Sequence, residues 1–196
     1  MAVLAALLVP VVKSGIEKAR ETACLSNLKQ LYAGFSSYAN DHNTCFPFGT
    51  ETNDAGVITR YVGYFQGDIG REFKAYIPGA LAGASTGYCA PYLCPADREF
   101  RGGNGPYGYY GHSYGANNVI TLDGKNRAVQ WVRRADVFLL ADALNTFVYR
   151  TAPATNLSPR HRQGANTLFC DGHAAWLRAP FPTWSENNRF WDPTLP

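Results

Sequence analysis

KSGIEKARETACLSNLKQLYAGFSSYAND, Lys13 to Asp41, decides how this chain folds. Within it Leu25, Leu28, Tyr32, Phe35 and Ala39 recur at spacings of three and four. On a helix those residues share one face, and that face needs something to be buried against. Lys13, Glu17, Lys18, Arg20 and Glu21 fill the turns before the stripe and suit a solvated stretch. Gly15 and Gly34 weaken the helix modestly without stopping it. The helix is predicted to end near Asn40 to Asn43, ahead of Phe46-Pro47-Phe48.

Toward the N-terminus, residues 2–12 read AVLAALLVPVV, apolar throughout and broken only by Pro10. The run is too short for a bilayer span, which takes ~20 residues. It has no basic segment before it and so does not read as a signal peptide. Pro10 removes one helical hydrogen bond and is expected to kink or locally melt the helix there. A soluble monomer has no reason to expose an apolar tip. A subunit whose tip packs on other tips, or sits in a membrane, does. The alternative is that residues 2–12 fold back into the globular part as a core strand or helix.

The rest of the 196 residues has the balance of one globular domain, with 46% hydrophobic and 17% charged residues. Aromatic residues make up 14%, beside 19 Gly and 12 Pro. That mixture favours short strands, turns and aromatic packing over a helical bundle. The net charge is only +3, and the 18 Lys and Arg form no block. Nucleic-acid binding therefore has no electrostatic footprint here.

Five cysteines are present: Cys24, Cys45, Cys89, Cys94 and Cys170. Cys89 and Cys94 could form half of a zinc site, but no second half follows at ligand spacing. One or two disulfides with a leftover thiol, in an exported protein, is the preferred reading. Five reduced core cysteines is the alternative. Spacing alone does not fix the connectivity.

In the C-terminal half, Asn166 to Cys170 and His173 to Leu177 are apolar-rich runs separated by Asp171-Gly172. An Asp-Gly pair between such runs predicts a hairpin with a two-residue type I′ turn. Val137 to Ala141 is a continuous apolar run, expected of a buried strand, with Val129 to Val132 as a candidate neighbour. The expectation is an α+β fold, an antiparallel sheet packed on the amphipathic half of the long helix. Residues 1–43 form the helix and 44–196 the head, together one domain. Residues 98–118, rich in Gly and Tyr, read as a long surface loop. Such a loop could serve subunit contacts or act as a platform for a glycan.

At this point the residues resemble a known group. AALLVPVVKSGIEKARETACLSNLKQLYAGFSSYANDH, residues 5–42, is similar to the helix of type IV pilin-like proteins and type II secretion pseudopilins. The likeness is greatest to bacterial members with a prepilin-type cleavage and methylation N-terminus. Pro10, Lys18, Ala19, Arg20, Cys24, Asn27, Leu28, Lys29 and Gln30 carry it. Further elements follow in the group's order: YLCPAD (92–97), HSYGANN (112–118), VFLLADA (137–143), and His161 separated by nine residues from Asp171-Gly172. The group's leader, processing Gly, mature Phe and following Glu have no counterpart here, so Met1 is expected to lie inside what is elsewhere the membrane helix.

The resemblance implies a pilin-like fold and a structural subunit of a filament or secretion apparatus. Leu4, Leu7, Leu8, Pro10 and Val11 would form its assembly helix. The implied partners are other copies or related pilin-like subunits, the assembly machinery, and a membrane reached through the full-length helix. The implied location is the bacterial inner membrane and periplasm, or a surface filament. It also implies a disulfide between Cys24 and Cys94, stapling helix to head.

Asp142, His161, Asp171 and His173 are the candidate metal ligands, if the strand ending at Asp142 lies beside the hairpin. Pseudopilins as a group bind calcium in the head, but calcium prefers an all-oxygen shell, which two histidines do not supply. The simpler reading gives Asp171 to the turn, His161 to a backbone hydrogen bond and His173 to solvent. Nothing in the chain points to an enzyme. Ser113 and Ser158 lack a nucleophile elbow. Cys170 with His161 would need an exposed, electropositive thiolate, yet Cys170 follows Phe169 in an apolar run. There is no phosphate-binding loop or dinucleotide fingerprint. The alternative function is a displayed binding module for a glycan or a divalent metal ion.

Overall fold

The computed structural model describes residues 2–42, 45–47, 50–52, 58–61, 73, 75–77, 90–97, 112–121, 135–144, 147–148, 156–183 and 188–192. Side chains of the first helix are described from Leu8 onward. The fold is α+β. One long helix, α1 (Ala2–Asp41), lies against an antiparallel sheet, a pilin-like topology. At 40 residues α1 is about 60 Å long. It runs unbroken through Pro10, so the proline costs a hydrogen bond without melting the helix. Among the described residues no helix is long and apolar enough to cross a membrane.

The buried stripe of α1 is Glu21, Cys24, Leu28, Leu31, Phe35, Tyr38 and Ala39. This corrects the expected stripe by about one residue: Leu28, Phe35 and Ala39 are buried, whereas Leu25 and Tyr32 are only half-buried. The stripe turns because Phe73, Tyr76 and Ile77 cover its C-terminal end. Phe73 sits with its ring centroid 4.6 Å from that of Phe35. A Cβ on Gly34 would lie 2.9 Å from Ile77 Cγ1 and 3.2 Å from Tyr76 O. The glycine that weakens the helix is thus what lets this segment approach. A second correction concerns Glu21, expected in solvent but only 2% exposed.

The strands are β1 (Thr50–Thr52), β2 (Ile58–Tyr61), β3 (Tyr114–Asn117), β4 (Phe138–Asp142), β5 (Phe147–Val148), β6 (Gly164–Phe169) and β7 (Ala174–Arg178). Short helices α2 (Asn118–Thr121) and α3 (Asn188–Trp191) and a 3-10 turn at Ala90–Tyr92 complete the elements. Strands β1 and β2 form a separate hairpin. The main sheet runs β5-β3-β4-β6-β7. Strands β3, β4, β6 and β7 are antiparallel, and the two-residue β5 joins β3 in parallel at the edge. Helix α1 lies across β6, β7 and the 3-10 turn.

Strands β4 and β6 are buried at every position because the sheet is covered on both faces. One face meets α1 through Leu139, Leu140 and Leu168. The other packs Phe138, Ala141 and Phe169 on Phe181, Phe190 and Trp191 from the C-terminal segment. A register shift between Phe138 and Leu140 places Leu139 and Leu140 together on the helix side. Two-sided burial explains why the run at 137–141 shows no polar alternation.

Two expectations fail locally. Residues 98–118 were read as one surface loop, but Tyr114–Asn117 is a fully buried strand inside the sheet. Its Gly and Asn hide it. Asn117 is held there because Nδ2 donates to Phe138 O and Trp191 O, and Oδ1 accepts from Val119 N. Residues 98–111 lie outside the described residues, as does the candidate strand 129–132. The β6–β7 turn is three residues wide, not two. Phe169 N donates to His173 O and Gly172 N to Phe169 O. Only Gly172 has positive φ, at 94°, which is the three-residue loop with a glycine bulge rather than type I′. A Cβ there would collide with the Tyr32 ring.

Candidate functional site

The polar groups that sequence reading scattered along the chain meet at the junction between α1 and the head. Cys24 and Cys94 form a disulfide, with Cα atoms 5.1 Å apart. Cys170 is a buried free thiol, and Cys89 lies outside the described residues. Beside the disulfide, His161 Nε2 is 3.1 Å from Cys94 Sγ and 3.5 Å from Asp142 Oδ2. Asp142 ends β4 and is completely buried; Asn166 N, on the adjoining β6, donates to its Oδ2 at 2.7 Å. Its Oδ1 has no hydrogen-bond partner among the described residues.

Burial works against charge on both members of the His161–Asp142 pair. Burial pushes the Asp142 carboxyl up to about 7, against the attraction of Arg160. Burial, with Arg160 adding to it, pushes the His161 imidazole down to about 4. Two groups in low dielectric each favour the neutral form.

Around this centre a ring of polar links ties helix to head. Arg162 holds Glu21 through two bonds, Nε to Oε2 at 2.7 Å and an NH2 contact to Oε1 at 2.8 Å. Lys18 Nζ adds a third at 3.0 Å. Burial raises the Glu21 carboxyl, but the Arg162 and Lys18 bonds outweigh it and hold it below the usual range. Asn166 Nδ2 donates to Glu21 O at 3.3 Å, and Tyr114 OH to Cys24 O at 3.4 Å. Asn27 Nδ2 donates to Leu93 O at 2.8 Å. Arg160 bonds Asp97 Oδ2 at 2.6 Å and Ala143 O at 2.8 Å, clamping the 92–97 segment to the end of β4. The short elements 92–97, 112–118 and 137–143, with His161, contribute to this one junction.

The four expected metal ligands do not converge. Asp142 and His161 come together, but Asp171 and His173 pair with each other, Oδ1 to Nδ1 at 2.6 Å. The six-residue β6 separates the two pairs, roughly 20 Å of extended chain. Asp171 also accepts from His173 N, so it serves the turn, and His173 is exposed. The His161 main chain bonds Gly164, three residues on, and its ring nitrogen faces Cys94 and Asp142 rather than backbone across the sheet. Cys170 is fully buried, and burial, then Asp171 and Asp136, push its thiol well up.

The grouping that does occur is Cys24, Cys94 and His161, whose ligand atoms all lie within 4.8 Å of one another. Those residues could hold a metal ion, although their sulfurs are joined as a disulfide here. A cleft of about 580 Å³ opens beside them, lined by Glu17, Arg20, Asp97, Arg160, His161 and Arg162 among others. Spacing missed Glu21, Arg160, Arg162 and Asn166, because their partners lie far away in the chain. Compared with known families, curated proteins and solved structures, the chain matches none.

Proposed function

We propose that this chain is a structural subunit that assembles through α1 and displays its head, in a pilin-like or pseudopilin filament. One observation carries the reading. Leu8, Val9, Val11, Val12 and Ile16 are 47–68% exposed on the helix, clear of the head that buries its other half. Five aliphatic side chains on a helix with no cover are costly in water. The same stretch on neighbouring copies is the occupant that fits, because it offers the same chemistry at the same length. Related pilin-like subunits, the assembly machinery and a membrane are the further partners, at the bacterial inner membrane, in the periplasm or in a surface filament.

The fusion of the helix to the head through a disulfide and a shared core suits a part that transmits position. The same reading assigns no catalysis, and the burial of the Cys170 thiol supports it. The metal-binding alternative is supported by the Cys24, Cys94 and His161 grouping.

Sedimentation velocity over a concentration series tests the assembly reading. The chain should form concentration-dependent oligomers, and Leu8→Asp with Val11→Asp should abolish them with unchanged circular dichroism. A wild-type chain that stays monomeric throughout, or a double variant that associates equally, would overturn it.

A further inference from the structure

The geometry points to a redox-gated metal site at the junction: after reduction, Cys24 Sγ, Cys94 Sγ and His161 Nε2 bind one zinc ion, with the Asp142 carboxylate beside them. A dithiol reductant converts the disulfide to two thiols and becomes a disulfide itself. Zinc binding then displaces both thiol protons, so the covalent staple becomes a metal staple joining the same two elements.

The spacing of the two sulfurs and His161 Nε2 suits three corners of a tetrahedral shell. Bonds of about 2.0–2.3 Å place neighbouring ligands roughly 3.3–3.8 Å apart. His161 Nε2 already stands 3.5 Å from Asp142 Oδ2 and 3.1 Å from Cys94 Sγ. The Cys24, Cys94 and His161 ligand atoms fall within 4.8 Å of one another, and cutting the S–S bond frees the sulfurs to separate. The same ring nitrogen faces both sulfur and carboxylate. A thiol–imidazole–carboxylate catalytic relay would use opposite nitrogens, whereas ligands of one ion converge on one point.

Three further observations fit a cation. Asp142 is completely buried, and its Oδ1 is unpartnered among the described residues. Asn166 N holds that carboxylate next to His161. Two thiolates and a neutral imidazole leave the Zn²⁺ site without net charge, so it needs no share of the Arg160 guanidinium, which already pairs with Asp97. His161 also lines the cleft, which gives reductant and metal a route in.

The test uses the full chain with Cys45, Cys89 and Cys170 changed to Ser, so that no other thiol competes. It is reduced with a phosphine under argon and titrated with Co²⁺ and then Zn²⁺. One equivalent of metal should be retained through gel filtration, with a cobalt–thiolate charge-transfer band. The oxidised protein should retain none. Cys94→Ser or His161→Ala should weaken binding at least about 100-fold, and Asp142→Asn about 10-fold. A reduced protein that keeps its circular dichroism but binds no Co²⁺ would overturn the proposal. So would undiminished binding after His161→Ala. If the reduced protein loses structure, failure of Zn²⁺ to restore the circular dichroism would count equally against it.

Discussion

Replacing Cys24 and Cys94 together by alanine removes the covalent link between α1 and the head. The link spans a sequence separation of 70 residues. In the chain-entropy picture, closing a loop of that length removes denatured-state freedom worth about 4.4 kcal/mol at 25 °C. Both cysteines are buried, at 0% and 3% exposure, so two alanines also leave small voids. Each void of methyl size costs about 1 kcal/mol. The expected loss is therefore about 6.4 kcal/mol, against a total of about 5–15 kcal/mol for a domain. With a urea slope of about 2 kcal/mol/M, the midpoint should fall by roughly 3 M. The slope itself should rise, because the uncut loop no longer compacts the denatured chain. Urea unfolding followed by far-ultraviolet circular dichroism and tryptophan fluorescence reads all of this. Reduced wild type in the presence of a chelator provides a second arm. It should lose about 4 kcal/mol, the voids being absent. A loss below about 1 kcal/mol in both arms would refute the reasoning, since the core and ion pairs alone would then be holding the helix.

Phe35→Ala should cost about 3–5 kcal/mol, measured as a shift in urea midpoint, since Phe35 is fully buried against Phe46 and Phe73. Glu21→Gln should cost about 1–3 kcal/mol at pH 7 by leaving Arg162 short of its carboxylate. Because the folded carboxyl is held below its ordinary 4.5, its stabilisation is present above that value and is lost as pH falls through the lower folded value. The variant's stability should therefore fall less steeply with acid than that of wild type in the same urea titrations. Asn117→Ala should cost about 2–4 kcal/mol, because it strips bonds from Phe138 O, Trp191 O and Val119 N in a buried strand. Differential scanning calorimetry would show it as a lower midpoint.

The helix and the β6–β7 hairpin were legible because their signals are periodic and local. The three-four spacing and the Asp-Gly turn need no distant partner to be read. The run at Val137–Ala141 was legible for a related reason: a strand covered on both faces is written as unbroken apolar sequence. Tyr114–Asn117 was hidden because its glycine and asparagine belong by propensity to loops. Its pairing with β4 and β5, with the tertiary bonds of Asn117, makes it a strand. Glu21 was placed in solvent because its neighbours are charged, and its real partner, Arg162, stands 141 residues away. Asp142 and His161 were rightly grouped, since the end of β4 does adjoin the start of β6. Asp171 and His173 were wrongly joined to them, because a hairpin carries its tip a full strand length from its base.

The continuity of α1 gears its tip to its head. A helix advances about 1.5 Å and turns about 100° per residue, so clamping Cys24 and Glu21 sets the azimuth of Leu8 and Val11 as well. Any neighbour that grips the tip therefore dictates the compass bearing of the sheet. One residue inserted between Ile16 and Lys18 would swing the whole head by about 100° relative to the gripped end. Seven would bring it back to within about 20° while pushing it about 10 Å outward. The length of this stretch thus works as a dial whose settings repeat every two turns.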